Sequence, residues 1–171
     1  MNSLRKNLLS LFVGIIIVIM TFFPISCRDV YSGCKNMPEQ TIGTGEIIMN
    51  ALVWYSNLDL STIELINSNS KNNQIIASDS ENIFGLVVSF DNGESFQPID
   101  FSQYTVFGKY ADGSCRVIFE KNITKKVEQK KYIYKITVIQ CGFCEKLVTS
   151  MNWVLIPKIE DDFIVEFVVE K

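Results

Sequence analysis

The sequence predicts a mainly β domain, an antiparallel β-sandwich or open barrel with one or two short helices packed on it. The clearest observation is the alternation from Lys131 to Gln140, which places aromatic and aliphatic side chains at every second position. The last strand, from Phe163 to Glu170, repeats this period of two. Turn-forming pairs, Asn92-Gly93 and Asp112-Gly113, stand between apolar runs, as expected for antiparallel strands joined by tight turns.

Shorter elements are predicted before Asn92. Runs rich in β-branched and aromatic residues predict strands over Ile47–Tyr55, Thr62–Ile66 and Gln74–Ala77. Ser78 stands three residues before Glu81, which is the spacing of a capping box, and apolar residues follow at helical intervals. We therefore expect a short helix over residues 79–89.

The first 27 residues have the order of a lipoprotein export signal. Arg5 and Lys6 precede an uncharged apolar run from Leu8 to Phe23, and Ser26 stands directly before Cys27. A positive start, an apolar stretch and a small residue before the cleavage point are typical of a secretory signal. A lipoprotein signal peptidase cleaves before such a cysteine. Acyl chains such as palmitate on Cys27 would then attach the protein to a membrane.

This interpretation divides the chain into a signal peptide (1–26), a lipid-attached tether (27–45) and a single β-rich domain (46–171). The tether is predicted because glycine, proline and polar residues occur there without periodicity. Secretion without lipid and an uncleaved anchor are alternatives, although the apolar run is shorter than the roughly 20 residues of a spanning helix. Pro24 stands where a strict lipobox prefers leucine. We expect lipid anchoring in the bacterial cell envelope, at the outer membrane, with the domain facing the periplasm or the surface.

Composition excludes several classes of function. The chain has 16 basic and 19 acidic residues, a net charge of −3, and no histidine. Because no basic excess exists, nucleic acid is not an expected partner. Without histidine there is no Ser-His-Asp triad, no Cys-His dyad and no histidine metal ligand. We expect no cofactor, no metal site and no enzymatic activity.

Five cysteines are present, and four remain once Cys27 is assigned to lipid. An even set in an exported protein predicts disulfide bonds, and the candidates are Cys34, Cys115, Cys141 and Cys144. We expect Cys115 to pair with Cys144 or Cys141 across neighbouring strands. Cys34 then pairs with the remaining cysteine or stays free. Four cysteines permit three pairings, and the sequence does not select one.

The segment from Cys141 to Cys144 also has the local arrangement of a dithiol redox motif. It follows a strand and precedes Glu145–Met151, a segment that could begin a helix whose dipole lowers the pKa of a thiol. The chain after Cys144 is, however, too short for a further βαβ unit and a thioredoxin fold. A dithiol redox protein is therefore an alternative hypothesis, and structural disulfides are preferred.

Three further groups of residues are candidates for binding, and each has a structural alternative. A lysine cluster could meet anionic headgroups but is expected at a solvated hairpin end. An acidic segment lacks the spacing of a calcium loop and is expected in a turn. Aromatic residues could form an interface but are expected in the core. The groups are Lys125, Lys126, Lys130 and Lys131; Asp91, Asn92 and Glu94; and Trp54, Trp153, Tyr132 and Tyr134.

The C-terminal part carries motifs that resemble a known family. Pro98–Tyr104 leads to a strand and a glycine turn with Cys115, followed by the strand Tyr132–Val138, the segment Gly142–Cys144 and the segment Asn152–Ile159. This order resembles a family of small, uncharacterised lipoproteins of Gram-negative bacterial envelopes. More distantly, it is similar to the PrcB-like C-terminal domain.

PrcB-like proteins are associated with protease complexes, so the resemblance, which covers roughly residues 75–171, implies a binding role. In this chain Asp112–Cys115 replaces a longer Gly-Gly-Tyr-type element of that domain. We expect a membrane-anchored lipoprotein with a non-enzymatic binding or structural role and an envelope protein as candidate partner. A protease-associated or protease-inhibiting module and a dithiol redox protein using Cys141 and Cys144 are the alternatives.

Overall fold

The structure, a computed structural model, describes residues 42–48, 51–58, 60–69, 73–142 and 146–171. Strands dominate this part of the chain, which confirms the predicted mainly β class. The strands are β1 (Ile42–Gly45), β2 (Leu52–Tyr55), β3 (Gln74–Ile76), β4 (Leu86–Ser89), β5 (Gln97–Pro98), β6 (Tyr104–Ser114), β7 (Arg116–Lys126), β8 (Lys131–Cys141), β9 (Leu147–Pro157) and β10 (Ile164–Glu170). The helices are α1 (Leu60–Asn69) and two single 3-10 turns (Asp79–Glu81 and Val127–Gln129).

The strands form three sheets that stack as layers. The outer sheet has the order β1-β7-β8-β10, the central sheet β3-β6-β9, and the short-strand sheet β2-β4-β5. Successive residues of β6 and β9 contribute to two different hydrophobic cores. The central sheet is therefore covered on both faces, and the arrangement is a β-sandwich with a third layer.

The outer sheet is mixed. β7 and β8 form an antiparallel hairpin, whereas β1 runs parallel to β7 and β10 runs parallel to β8. Strand β10 lies parallel to β8 because β9, between them in the chain, crosses into the central sheet and pairs antiparallel with β6. Strand β1, at the end of the predicted tether, already belongs to the sheet.

The first core lies between the outer and central sheets. Tyr132 and Tyr134 of β8 are 2% and 0% exposed, as the predicted alternation requires. Phe107 of β6 contacts both tyrosine rings and Phe167 of β10, with centroid distances of 5.9–6.4 Å. The Tyr134 hydroxyl donates a hydrogen bond of 3.0 Å to the carbonyl oxygen of Asn152, so its buried polar atom is satisfied.

The second core lies between the central and short-strand sheets. Trp153 and Leu155 of β9 point into it, whereas Val154 and Ile156 point into the first core. The whole run Trp153–Ile156 is consequently buried. A continuous apolar run is typical of a strand that is covered on both faces.

Several predicted elements are confirmed. Strands occur within the predicted segments Gln74–Ala77, Lys131–Gln140 and Phe163–Glu170, and β2 occupies the last part of Ile47–Tyr55. The predicted turn at Asn92-Gly93 joins the antiparallel strands β4 and β5, with φ angles of 59° and 93°. These left-handed angles are the reason that asparagine and glycine occur there.

The predicted strand Thr62–Ile66 is wrong, because these residues lie in α1. Leu60 and Ile63 of this helix are 80% and 38% exposed. A strand at such an exposed place would need a sheet edge to satisfy its backbone groups, whereas a helix satisfies them internally. The β-branched composition of the segment does not outweigh this requirement.

The predicted helix over 79–89 is also wrong. A single 3-10 turn, Asp79–Glu81, forms there and β4 follows it. Ser78 makes no side-chain capping bond. The Asn82 amide instead bonds both the N–H and the C=O of Leu86, at 2.8 and 3.0 Å, which ends the turn. The apolar residues that fit a helical spacing therefore lie along a strand.

The predicted turn at Asp112-Gly113 is wrong as well, because both residues continue β6 and the chain reverses at Cys115, whose φ is 63°. Gly113 is needed for packing. A Cβ atom at this position would lie 2.6 Å from Cγ2 of Val117. A glycine can therefore indicate close packing between strands as well as a turn.

Candidate binding site

A cleft of about 220 Å³ opens where the edges of the central and short-strand sheets meet. One wall is β2 and the other is β9, and both are edge strands of their sheets. Strand β7 of the outer sheet contributes two side chains. The lining residues are Ala51–Tyr55, Phe119, Lys121 and Ser150–Val154.

Trp153 fixes the shape of the cleft. Its side chain is 6% exposed, and its indole N–H donates a hydrogen bond of 3.0 Å to the Tyr55 hydroxyl. The two rings meet edge to face at 6.3 Å, and Phe84 packs on the indole at 5.3 Å. Gly108 is its cross-strand partner, and a Cβ there would lie 2.1 Å from the indole ring. The tryptophan therefore requires a glycine opposite it.

Exposed apolar side chains line the β2 wall of the cleft and continue beside it. Leu52 and Trp54, at alternate positions of β2, are 41% and 52% exposed. Trp54 also contacts the ring of Tyr55 edge to face at 6.0 Å. Phe96 is 44% exposed and, like Leu52, borders Gly93 of the β4–β5 turn. Exposed apolar residues grouped in this way are typical of an interaction surface.

Lys121 brings a positive charge into the cleft. Its ammonium donates a hydrogen bond of 3.1 Å to the carbonyl oxygen of Trp153, and burial lowers the pKa of Lys121 below its usual value. None of the ion pairs formed by the described residues involves this lysine. The ammonium therefore retains donors that a bound group could use.

Lys121 was not among the residues singled out from the sequence, although a signal for it exists. In β7, Val117, Phe119 and Ile123 share the face that packs on the first core. The alternation of this strand places Lys121 on the same face. A lysine at a core-facing position of a strand is unusual and indicates either a snorkelling side chain or a site.

The proposed aromatic surface divides into two parts. Trp54 is exposed and Trp153 lines the cleft, so these two tryptophans lie at one place. Tyr132 and Tyr134 lie in the first core and are not available for binding.

The structure describes only part of the predicted cysteine set. Cys115 and Cys141 are both disulfide-bonded, and they face each other as an isolated β-bridge. Cys27, Cys34 and Cys144 lie outside the described residues, so lipid attachment and disulfide connectivity stay predictions.

The segment after the cysteine pair is a strand. Under the redox hypothesis Glu145–Met151 could begin a helix, but β9 starts at Leu147 and pairs with β6 from there onward. Residues 147–151 are therefore not helical, because the edge of β6 supplies their backbone partners. A helix dipole at Leu147–Met151 is consequently not available to lower a thiol pKa.

The lysine cluster is largely neutralised by carboxylates from the segment before β10 and from β10 itself. Three of its four members form ion pairs, and a hydrogen bond from Lys131 holds the pKa of Glu166 below its usual value. This geometry favours a solvated hairpin end over a lipid-binding patch. The pairs are Lys125–Glu160 at 3.2 Å, Lys130–Asp162, and Lys131–Glu166 at 2.8 Å.

The acidic turn uses its charge internally. Asp91 accepts hydrogen bonds from the Ser89 hydroxyl at 2.5 Å and from the N–H of Ser95 at 2.9 Å. These bonds hold the pKa of Asp91 well below its usual range. Within the ranges that the structure describes, no three histidine, cysteine or acidic side chains are grouped to hold a metal ion.

Comparison with known proteins found no matching family model, no similar curated protein and no similar solved structure. In the described part of the chain, no helix has both the length and the apolarity to cross a membrane.

Proposed function

We propose that this protein is a lipoprotein of the bacterial cell envelope, attached to a membrane through Cys27, whose β domain binds another envelope protein without catalysis. The observation that carries the binding role is the cleft. It combines the exposed side chains of Leu52 and Trp54 with the buried ammonium of Lys121. Membrane attachment is supported by the apolar run that ends at Ser26 and Cys27.

The cleft favours a particular ligand chemistry. A half-exposed tryptophan offers a large, rigid apolar area, and such residues dominate the free energy of protein–protein binding. A mostly buried ammonium without a carboxylate partner gains most from a negatively charged group that reaches it. We therefore expect a partner segment that presents an apolar side chain to Trp54 and a carboxylate to Lys121.

Binding is tested with a photoreactive phenylalanine derivative at position 54, expressed in cells and activated in the intact envelope. The matched control places the same group at Val127, which is 66% exposed in the β7–β8 turn and does not line the cleft. We expect a discrete cross-linked product from position 54 only, and its loss in Lys121→Met. Equal products from both positions, or none from position 54, would contradict the binding role.

The identity of the captured protein refines the proposal. A protease among the products would identify the protease-associated role that the resemblance implies.

Attachment is tested by the intact mass of the protein extracted from membranes without reduction, with and without thiol alkylation. We expect a chain that starts at Cys27 and carries added acyl mass. A mass that includes residues 1–26 would contradict cleavage and leave the uncleaved anchor as the explanation.

A further inference from the structure

Strand β10 differs from the other sheet edges of the described chain. β1, β2, β3 and β5 have two to four residues each, and β5 contains a proline. β9 is longer, but its edge carbonyls accept hydrogen bonds from Lys121 and from the N–H of Ile48. β10 has seven residues in continuous register with β8 and contains no proline, glycine or lysine. Short length, a proline or edge groups that are already hydrogen-bonded normally protect an edge strand from pairing, and β10 has none of these features.

The backbone groups that β10 presents outward can be assigned. The N–H of Ile164 donates to the carbonyl oxygen of Lys130 at 2.9 Å, so residue 164 and every second residue after it point their backbone groups toward β8. The N–H and C=O groups of Val165, Phe167 and Val169 therefore point to the free side. Among the described residues no strand pairs with β10 there.

The same three residues mark an open end of the first core. Their side chains pack against that core but stay partly exposed, whereas Tyr134 and Ile136 on the neighbouring β8 are 0% exposed. Apolar area at Val165, Phe167 and Val169 would leave water if another strand covered this edge.

The two glutamates of β10 do not place a charge at the free edge of the strand. Glu166 and Glu170 lie on the solvent face, and their carboxylates turn toward β8. They form ion pairs there with Lys131 at 2.8 Å and Lys135 at 3.3 Å. The edge itself is consequently left with backbone groups and valine or phenylalanine side chains.

We propose that two copies of this chain associate by antiparallel pairing of their β10 strands around a two-fold axis at Phe167. In this register Phe167 lies opposite Phe167 of the partner subunit, and Val165 lies opposite Val169 of the partner subunit. All outward N–H and C=O groups are then paired, and the outer sheet continues across the axis. The proposal is independent of the cleft and of lipid attachment.

The register explains why a second copy fits this edge. Glu166 lies opposite Val168 of the partner subunit, so no two glutamates are directly opposed. On the core side, the partly exposed side chains of each copy meet identical apolar side chains. Another strand would need apolar side chains on the core side and no acidic residue opposite Glu166, and a second copy of β10 meets both requirements.

Two substitutions at Val168 test the register, because this residue lies on the solvent face opposite Glu166 of the partner subunit. In Val168→Glu a negative side chain lies opposite Glu166 of the partner subunit, and the two-fold axis repeats this repulsive pair. In Val168→Lys a positive side chain lies at the same place, so both pairs are attractive. We expect the dissociation constant of Val168→Glu to exceed that of Val168→Lys by about tenfold. The measurement is native mass spectrometry of the full chain in detergent micelles over a dilution series.

In the monomer Val168 is in register with Lys135, whereas Glu166 and Glu170 flank it on the same face of β10. The unfolding temperature of both variants, measured at concentrations where they are monomeric, is therefore the control. Equal unfolding temperatures exclude impaired folding of Val168→Glu as the cause of a weaker dimer. A wild-type protein that is monomeric at every concentration would overturn the proposal, as would two variants with equal dissociation constants.

Hydrogen exchange of single amides tests the geometry separately. With rising protein concentration we expect slower exchange at Val165, Phe167 and Val169, and unchanged exchange at Glu166 and Val168. Protection of the three amides that does not depend on concentration would indicate that another segment of the same chain covers the edge, and would overturn the proposal.

Discussion

The two cores of this molecule are built differently. The first core lies between sheets whose main strands have 11 residues, and strict alternation brings Tyr132, Tyr134 and Phe107 together. The second core uses strands of two to four residues on one side, and it is organised around Trp153 on the other. One core is thus built by repetition along strands and the other by a single large side chain.

This difference separates stability from binding. In the first core, the buried hydroxyl of Tyr134 is satisfied by a carbonyl oxygen of β9, and the side chains of β10 stay partly exposed. The second core ends at the cleft, where Trp153, Tyr55 and Lys121 meet. Sites are commonly found where a rigid layer supports a less regular one, because the rigid layer holds the binding residues in place.

Phe107→Ala tests the first core and is expected to have the largest effect. Phe107 is 0% exposed and contacts three aromatic rings, so its removal leaves a large cavity. We expect a loss of about 3–5 kcal/mol in the free energy of unfolding, measured by denaturant titration. The control, Phe96→Ala, removes a ring that is 44% exposed and should change stability by less than about 1 kcal/mol. Equal effects would show that the first core does not dominate stability.

Gly108→Ala tests the second core from the next residue of the same strand. The added Cβ would lie 2.1 Å from the Trp153 ring, so the indole must move. We expect a loss of about 1–3 kcal/mol. Trp153 fluorescence, measured in a Trp54→Phe background, should shift in Gly108→Ala and stay unchanged in folded Phe107→Ala. An unshifted emission in Gly108→Ala would contradict the described packing.

Lys121→Met tests the cost of the charge in the cleft, where the inner face of β7 meets Trp153. Burial lowers the pKa of Lys121, so the folded state disfavours its ammonium at neutral pH. We expect the variant to be more stable than the wild type by about 1 kcal/mol at pH 7, because a buried charge is replaced by an apolar side chain of similar length.

The pH dependence of the free energy of unfolding tests independently whether the charge of Lys121 destabilises the folded protein. Between the lowered folded pKa and the unfolded value of about 10.4, the unfolded state binds more protons, so Lys121 makes wild-type stability rise with pH. The difference in the free energy of unfolding between Lys121→Met and the wild type should therefore decrease as the pH rises through this range. Tyr55, whose pKa burial raises, contributes equally to both proteins. The control is Lys126→Met, at an exposed position on the opposite face of β7, which should have the same stability as the wild type at pH 7. A stability difference between Lys121→Met and the wild type that does not change with pH would contradict the lowered pKa of Lys121.

Lys131→Ala reaches neither core and should have the smallest effect. Its hydrogen bond and charge hold the pKa of Glu166 below the usual value. We expect the Glu166 pKa, measured by NMR titration, to rise toward its ordinary value of about 4.3 while the unfolding temperature hardly changes. Glu170, paired with Lys135, serves as the control carboxylate in the same spectrum. An unchanged Glu166 pKa would show that the pair does not persist in solution.

The same contrast explains what the sequence could predict. Long strands such as β8 and β10 have a period of two, which determines their buried face before any partner is known. The short strands carry too few residues for a period, so β4 resembled a helix and α1 resembled a strand. Their conformations depend on neighbours, such as the Asn82 side chain that bonds Leu86.

The cleft could be predicted only in part. Trp54 and Trp153 were identified as candidates, but their sequence separation hides that β2 and β9 lie side by side. Lys121 can be identified only from the alternation of β7, in which it shares a face with Phe119 and Ile123 of the first core. Tyr132 and Tyr134 belong to the core because alternation alone does not say whether an aromatic face meets solvent or another sheet.

The route of the chain from β8 through β9 to β10 determines how the domain can fold. The parallel partner of β8 follows β9 in the chain, although β9 lies in a different layer, and β1 must also join a strand that lies far away in sequence. Such non-local pairings lose much chain entropy before they gain contacts, so we expect folding in about milliseconds to seconds rather than microseconds. If the chain is exported as proposed, this slow folding keeps it unfolded while it is threaded across the membrane.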